Sequence, residues 1–101
     1  LRKVFDLYQC MVTKEIHRQN PLDALMFYHS CTLRPLVEAL RILHTPARHG
    51  FGIHYTYVDL PREVAQRLEE LHFVHDLADI ASKRAAAETW FYQTLEQINL
   101  E

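Results

Sequence analysis

Eight arginines and seven histidines are the side chains of this 101-residue sequence best suited to chemistry. Arg34, Arg41 and Arg48 fall between Leu33 and His54 with His44 and His49, against one acid, Glu38. A guanidinium is a planar fork of N–H donors that matches phosphate oxygens, so this stretch could hold a phosphate or a nucleotide. A solvated helix flank followed by a loop is the plainer reading of the same residues. His72 and His75 are spaced i,i+3, and His49 and His54 share a loop. Zinc also needs thiolate or carboxylate partners at defined geometry, and neither HExxH nor CxxC occurs, so no metal site is expected. His29 and His44 lie on an apolar stripe and are expected in the core with hydrogen-bond partners. No G-x-S-x-G is present, and Gly50-Phe-Gly52 does not continue into a phosphate-cradling loop, so nucleophilic catalysis has no support.

Charges on apolar faces are the second kind of signal. Arg84 and Glu88 sit four residues apart in the middle of the last helical stripe, and Glu15 sits in the middle of the first. A buried charge is costly unless it is paired, and Arg84 and Glu88 can pair by i,i+4 contact. The three are expected as an interhelical ion pair or where the stripe emerges to solvent; the alternative is a polar pocket or a docking face for another domain.

Composition limits what these residues can belong to. One hundred and one residues make one domain with a single core. Apolar residues at 49% exclude a disordered chain, and two glycines are too few for the turns of an all-β fold. A net charge of −2 gives no general pull on nucleic acid or anionic lipid, and no apolar run is long enough to span a membrane. Cys10 and Cys31 stand alone, as in a reducing, cytoplasmic compartment. The sequence enters a helical pattern directly at Leu1, so a piece of a longer protein is expected.

Periodicity then places the elements. Helix one covers about 2–19, with Val4, Phe5, Leu7, Tyr8, Met11, Val12 and Ile16 on one half of the wheel. Asn20 caps helix two, with Pro21 at its first position. That helix runs to about His44, its stripe (Leu22, Leu25, Met26, Leu33, Leu36, Val37, Leu40, Leu43) holding phase through Pro35. The spacing predicts one helix kinked near Pro35, with the Cys31 carbonyl left without its amide partner; two shorter helices are the alternative. Arg34 and Arg41 fall together on the stripe's flank. A long irregular crossover, about 45–59, follows, in which Gly50 and Gly52 permit positive φ and Ile53–Val58 could be extended. Asp59 caps helix three, about 60–73, and Asp76 caps helix four, about 77–99. The fold class read from this is all-α: four main helices in an up-down, bundle-like arrangement.

The run R-x-x-H-x-P-x-R-x-x-F-G-x-x-Y-x-x-x-D-L-P, from Arg41 to Pro61, resembles the C-terminal helical region of bacterial and archaeal proteins with a nucleotidyltransferase domain, the superfamily of the kanamycin nucleotidyltransferases. The matching residues are Arg41, His44, Pro46, Phe51, Gly52, Tyr55, Asp59, Leu60 and Pro61, and the helix ending Trp90-Phe91 is also similar. His54 stands where that family often has an arginine. The resemblance implies an N-terminal domain of the same protein carrying Gly-Ser and Asp-x-Asp, with Mg²⁺ and a nucleoside triphosphate bound there. Neither motif occurs in this chain, since Asp76-Leu-Ala-Asp79 has the wrong spacing. It further implies that these residues are the helical accessory, substrate-binding part, not itself catalytic, facing a small-molecule or nucleotide substrate. Arg41, His44, Arg48, Phe51, Tyr55 and Asp59 would be its working surface. Arg41 and Arg48 would meet phosphate or an acidic surface, Phe51 and Tyr55 would pack the loop and stack on a ring, and Asp59 would cap. Alternatively, Arg41, Tyr55 and Asp59 simply form the hydrogen-bond network that fixes the loop. Two other functions stay open. Arg67 and His72 fit the Arg-x4–6-His pattern of the helical HEPN ribonucleases, where such a pair acts on RNA phosphate. The chain could also be an interaction module that docks through Arg84, Glu88 and uncovered apolar surface.

Overall fold

The computed structural model describes residues 2–98. The elements in order are α1 (Arg2–His17), α2 (Pro21–Phe27), a π-helical segment (Tyr28–Leu33), α3 (Arg34–His44), a 3₁₀ turn (Pro46–Phe51), α4 (Thr56–Asp59), α5 (Arg62–His72) and α6 (Leu77–Ile98). Among the described residues there is no strand, and the all-α expectation holds. No helix among them is long and apolar enough to cross a membrane. The core lies where α3 packs on α6 and where α1 packs on α2 and the π segment. Phe5 of α1 stacks on Phe91 of α6 at 3.8 Å between ring centroids. Tyr28, fully buried, donates its hydroxyl to the Leu71 carbonyl at 2.5 Å and so ties the π segment to the last turn of α5.

The long second helix forms, but Pro35 acts on it one turn earlier than expected. Proline has no N–H to give the Cys31 carbonyl, and its ring crowds that carbonyl. The chain answers by widening the turn. Tyr28–Leu33 is π-helical, and the Arg34 N–H bonds the His29 carbonyl, five residues back. The orphaned Cys31 carbonyl does find a donor, the Gln9 side-chain amide of α1 at 2.9 Å.

This widening corrects several expectations. A π turn takes up about one extra residue, so positions before Tyr28 rotate by roughly 100° against those after Leu33. The stripe therefore does not hold phase through Pro35. Leu33, Leu36, Val37 and Leu40 are buried, while Leu22 and Met26 face solvent. His29 and His44, expected in the core, are both exposed. Arg41, expected on the flank beside Arg34, is completely buried, whereas Arg34 is exposed. On α1 the buried residues are Phe5, Gln9, Val12 and Glu15, and the expected stripe members Val4, Leu7, Tyr8 and Met11 lie outside.

The helix ends have local causes. α1 stops in a Schellman turn: Gln19 adopts φ 58°, its N–H bonds the Ile16 carbonyl, and the Asn20 N–H bonds the Glu15 carbonyl. Asn20 was expected to cap α2 with its side chain; instead its amide goes to the Glu15 carboxylate at 3.0 Å. Asp76 caps α6 as expected, accepting the Asp79 N–H at 2.9 Å, while Asp79 accepts the His75 N–H in return. The expected end of that helix at Asn99 lies outside the described residues. Asp59 does not cap α5, which starts at Arg62 after Pro61. The crossover contains no extended piece: Ile53–Val58 is a tight turn running into the single turn of α4.

Candidate functional site: the Arg41 crossover

The crossover 45–59 is irregular, so it carries backbone carbonyls that no helical ladder uses. Buried carbonyls must be paired. Arg41, near the C-terminal end of α3, supplies the donors. Its Nε–H bonds the Gly52 carbonyl and its Nη2 bonds the His54 carbonyl. Its Nη1 reaches the Arg48 carbonyl at 3.3 Å and the Asp59 carboxylate at 2.8 Å. The side chain is 0% exposed. One guanidinium thus ties four positions spread over residues 48–59 to α3.

Asp59 sits between two arginines. Arg41 and the Arg48 Nε–H, 2.9 Å away, both donate to its Oδ2. These bonds, Arg41's first, hold its carboxyl below the usual carboxylate range. A carboxylate so engaged is no general base. Gly52, at φ 58° and ψ −132°, uses a backbone region that side chains rarely adopt, and it turns its carbonyl to Arg41. Tyr55 also has positive φ, 64°, unusual for a bulky residue. Its place is fixed from both sides, by the His54 carbonyl held by Arg41 and by the Asp59 N–H bonded to the Tyr55 carbonyl.

The outer side of this pin carries a cation and two rings. The Arg48 guanidinium lies 4.5 Å from the Phe51 centroid and 5.4 Å from that of Tyr55. Phe51 is 47% exposed and Tyr55 50%. The His54 ring lies 3.9 Å from that of Tyr55. Such a surface can bind a planar or anionic group. The Asp59 carboxylate behind it is engaged by both arginines.

The sequence candidates therefore divide. Arg41 and Asp59 form the interior of the site, and Arg48, Phe51 and Tyr55 its face; Tyr55 joins the network through its backbone carbonyl, which accepts the Asp59 N–H, and not through its hydroxyl. His44 stands apart, lining a different cleft with Arg67 and Trp90. Arg84 and Glu88 pair at 3.4 Å. Glu15 does not join them, because its carboxylate is taken by Arg18 and Asn20 at the α1–α2 turn. Arg67 stacks on Trp90 at 4.1 Å, and His72 faces His29 across 5.8 Å, so the two residues border separate clefts. Among the described residues no group of three His, Cys, Asp or Glu could hold a metal ion.

Sequence reasoning missed Gln9. It donates to the Cys31 carbonyl, accepts the Thr32 hydroxyl at 2.7 Å, and accepts from Arg84 at 3.4 Å. The available signal was the orphan carbonyl below Pro35, which required a donor from a neighbouring helix. Compared with known proteins, the chain matches no family model, no curated protein and no solved structure.

Proposed function

We propose that the chain is the helical accessory domain of a nucleotidyltransferase-like protein and that its crossover contacts the substrate. The observation that carries this reading is how the widely spaced residues of the Arg41–Pro61 run close on one another. Arg41 and Asp59 meet inside, while Arg48, Phe51 and Tyr55 lie side by side outside. A cation against exposed rings suits a planar ring with an anionic substituent, which describes a nucleotide. An N-terminal nucleotidyltransferase domain of the same protein would supply Mg²⁺-dependent chemistry through its Gly-Ser and Asp-x-Asp residues. The residues of this chain bind and orient. The unpaired thiols of Cys10 and Cys31 suit a cytoplasmic setting.

The test is titration of the full gene product with Mg²⁺-ATP. The reading expects Gly-Ser followed by Asp-x-Asp upstream of Leu1 in the reading frame. It also expects about tenfold weaker binding in Phe51→Ala or Arg48→Ala, a loss of roughly 1.4 kcal/mol. A reading frame without those motifs, or variants that bind like wild type, overturns it.

A second reading, a non-catalytic interaction module, is favoured by α1, which leaves Val4, Leu7, Tyr8 and Met11 exposed along one side. It expects Leu7→Glu to abolish association with a partner domain. The separation of Arg67 from His72 gives the ribonuclease alternative no comparable support.

A further inference from the structure

Two clefts meet between the second helix, the crossover and α5. The smaller, about 300 Å³, is floored by Leu33, Val37 and Ile53. The larger, about 430 Å³, is walled by Ala65, Leu68 and Phe73. His29, Ile53 and His72 line both, so the clefts form one apolar trough with two imidazoles at the divide. Their ring centroids are 5.8 Å apart. His72 Nδ1 lies 2.6 Å from the Leu68 carbonyl oxygen. A carbonyl only accepts, so Nδ1 carries the hydrogen and donates, and Nε2 is left facing the trough. The His29 side chain makes no hydrogen bond among the described residues, and His29 lines both clefts. Arg34 borders the smaller cleft, is exposed, and has neither a side-chain hydrogen bond nor an ion pair among the described residues. The carboxylate bordering the larger cleft, Glu69, already accepts the Tyr57 hydroxyl.

One arginine without a side-chain partner thus borders the smaller cleft, and two imidazoles, one of them held through Nδ1, stand at the divide, apart from the crossover's outer face. We propose that the trough binds a small amphipathic carboxylate, its head at Arg34, His29 and His72 and its hydrocarbon body along Ile53 and Leu68. The planar fork of Arg34 suits a carboxylate, and the apolar floor suits its chain. A metal ion between the imidazoles is the weaker choice. It would lack a third protein ligand among the described residues, and Arg34 would repel it.

Isothermal titration of the full chain with octanoate tests this. The expected result is binding that weakens about tenfold in Arg34→Gln, with most of it kept in Arg34→Lys. Octylamine, with the same tail and the opposite head, is expected not to bind. Absence of octanoate binding, equal binding of octylamine, or an unchanged affinity in Arg34→Gln overturns the proposal. Arg34 has no contact that folding needs, and circular dichroism checks that each variant is folded.

Discussion

Arg41 and Arg84 both leave solvent, and the molecule treats them differently. Arg41 is completely buried, and its Nε, Nη1 and Nη2 all have acceptors, three backbone carbonyls and one carboxylate. Arg84, with 15% of its side chain exposed, shares one Nη1 between Gln9 and Glu88 at 3.4 Å each and leaves its buried Nε–H without a partner. The difference follows from what each one faces. Helix carbonyls are already spent on their own ladder, so an arginine lodged between helices finds only side chains. An arginine facing an irregular crossover finds a supply of free carbonyls. A buried guanidinium is therefore an organiser opposite a loop and a compromise between helices.

The comparison breaks or sharpens under substitution. Arg41→Met should cost about 3–5 kcal/mol, because it strips the crossover carbonyls and leaves Asp59 short of a partner; urea unfolding measures it. Gln9→Leu comes next, at about 2–3 kcal/mol, because the Cys31 carbonyl, Thr32 and Arg84 all lose their contact with it. In a Pro35→Ala background that cost should shrink. Residue 35 would regain an N–H for the Cys31 carbonyl, and a double-mutant cycle reads the coupling. Arg84→Met should cost no more than about 1 kcal/mol, since the charge it removes is incompletely satisfied already. If it costs as much as Arg41→Met, the contrast drawn above fails.

A change of pH isolates the Asp59 part of the network. Its folded-state pKa is depressed, by the Arg41 hydrogen bond first and the Arg48 bond second. The unfolded chain therefore binds the proton more readily. The stabilisation is fully present above the unfolded carboxylate value of about 4 and is lost as pH falls through the lower folded value. Asp59→Asn should flatten this acid limb while leaving the neutral-pH fold intact. Equal acid sensitivity in the two proteins would place the dependence elsewhere.

Local signals in the sequence carried the helix ends that rest on neighbouring residues. Asp76 caps α6, and Asn20-Pro21 marks the α1–α2 boundary, because the donors and acceptors concerned lie within one turn. The face of the second helix was not legible in this way. Its wheel assumes a uniform 100° per residue, and the π turn below Pro35 removes that assumption. This one irregularity turned Leu22 and Met26 outward while Leu36, Val37 and Leu40 stayed inside. The Arg41–Asp59 pairing was visible as a spacing, as one of two readings of the crossover run. The Gln9 network was not, because its partners lie 22 and 75 residues away. The positive φ of Tyr55 also has no local signature, since its neighbours impose it through Arg41 and α4.

The central claim is that one buried arginine holds the crossover in shape and so prebuilds the Arg48–Phe51–Tyr55 face. Native-state hydrogen exchange in wild type and Arg41→Lys tests it most directly. Lysine keeps the charge but cannot reach four acceptors with a planar fork. The amides to follow are His54, Val58, Asp59 and Leu60, which bond the Phe51, Tyr55, Tyr55 and Thr56 carbonyls. The account predicts that these lose most of their protection in Arg41→Lys while the amides of α3 and α6 keep theirs. Unchanged protection at these four amides, or a uniform loss across all helices, would contradict it.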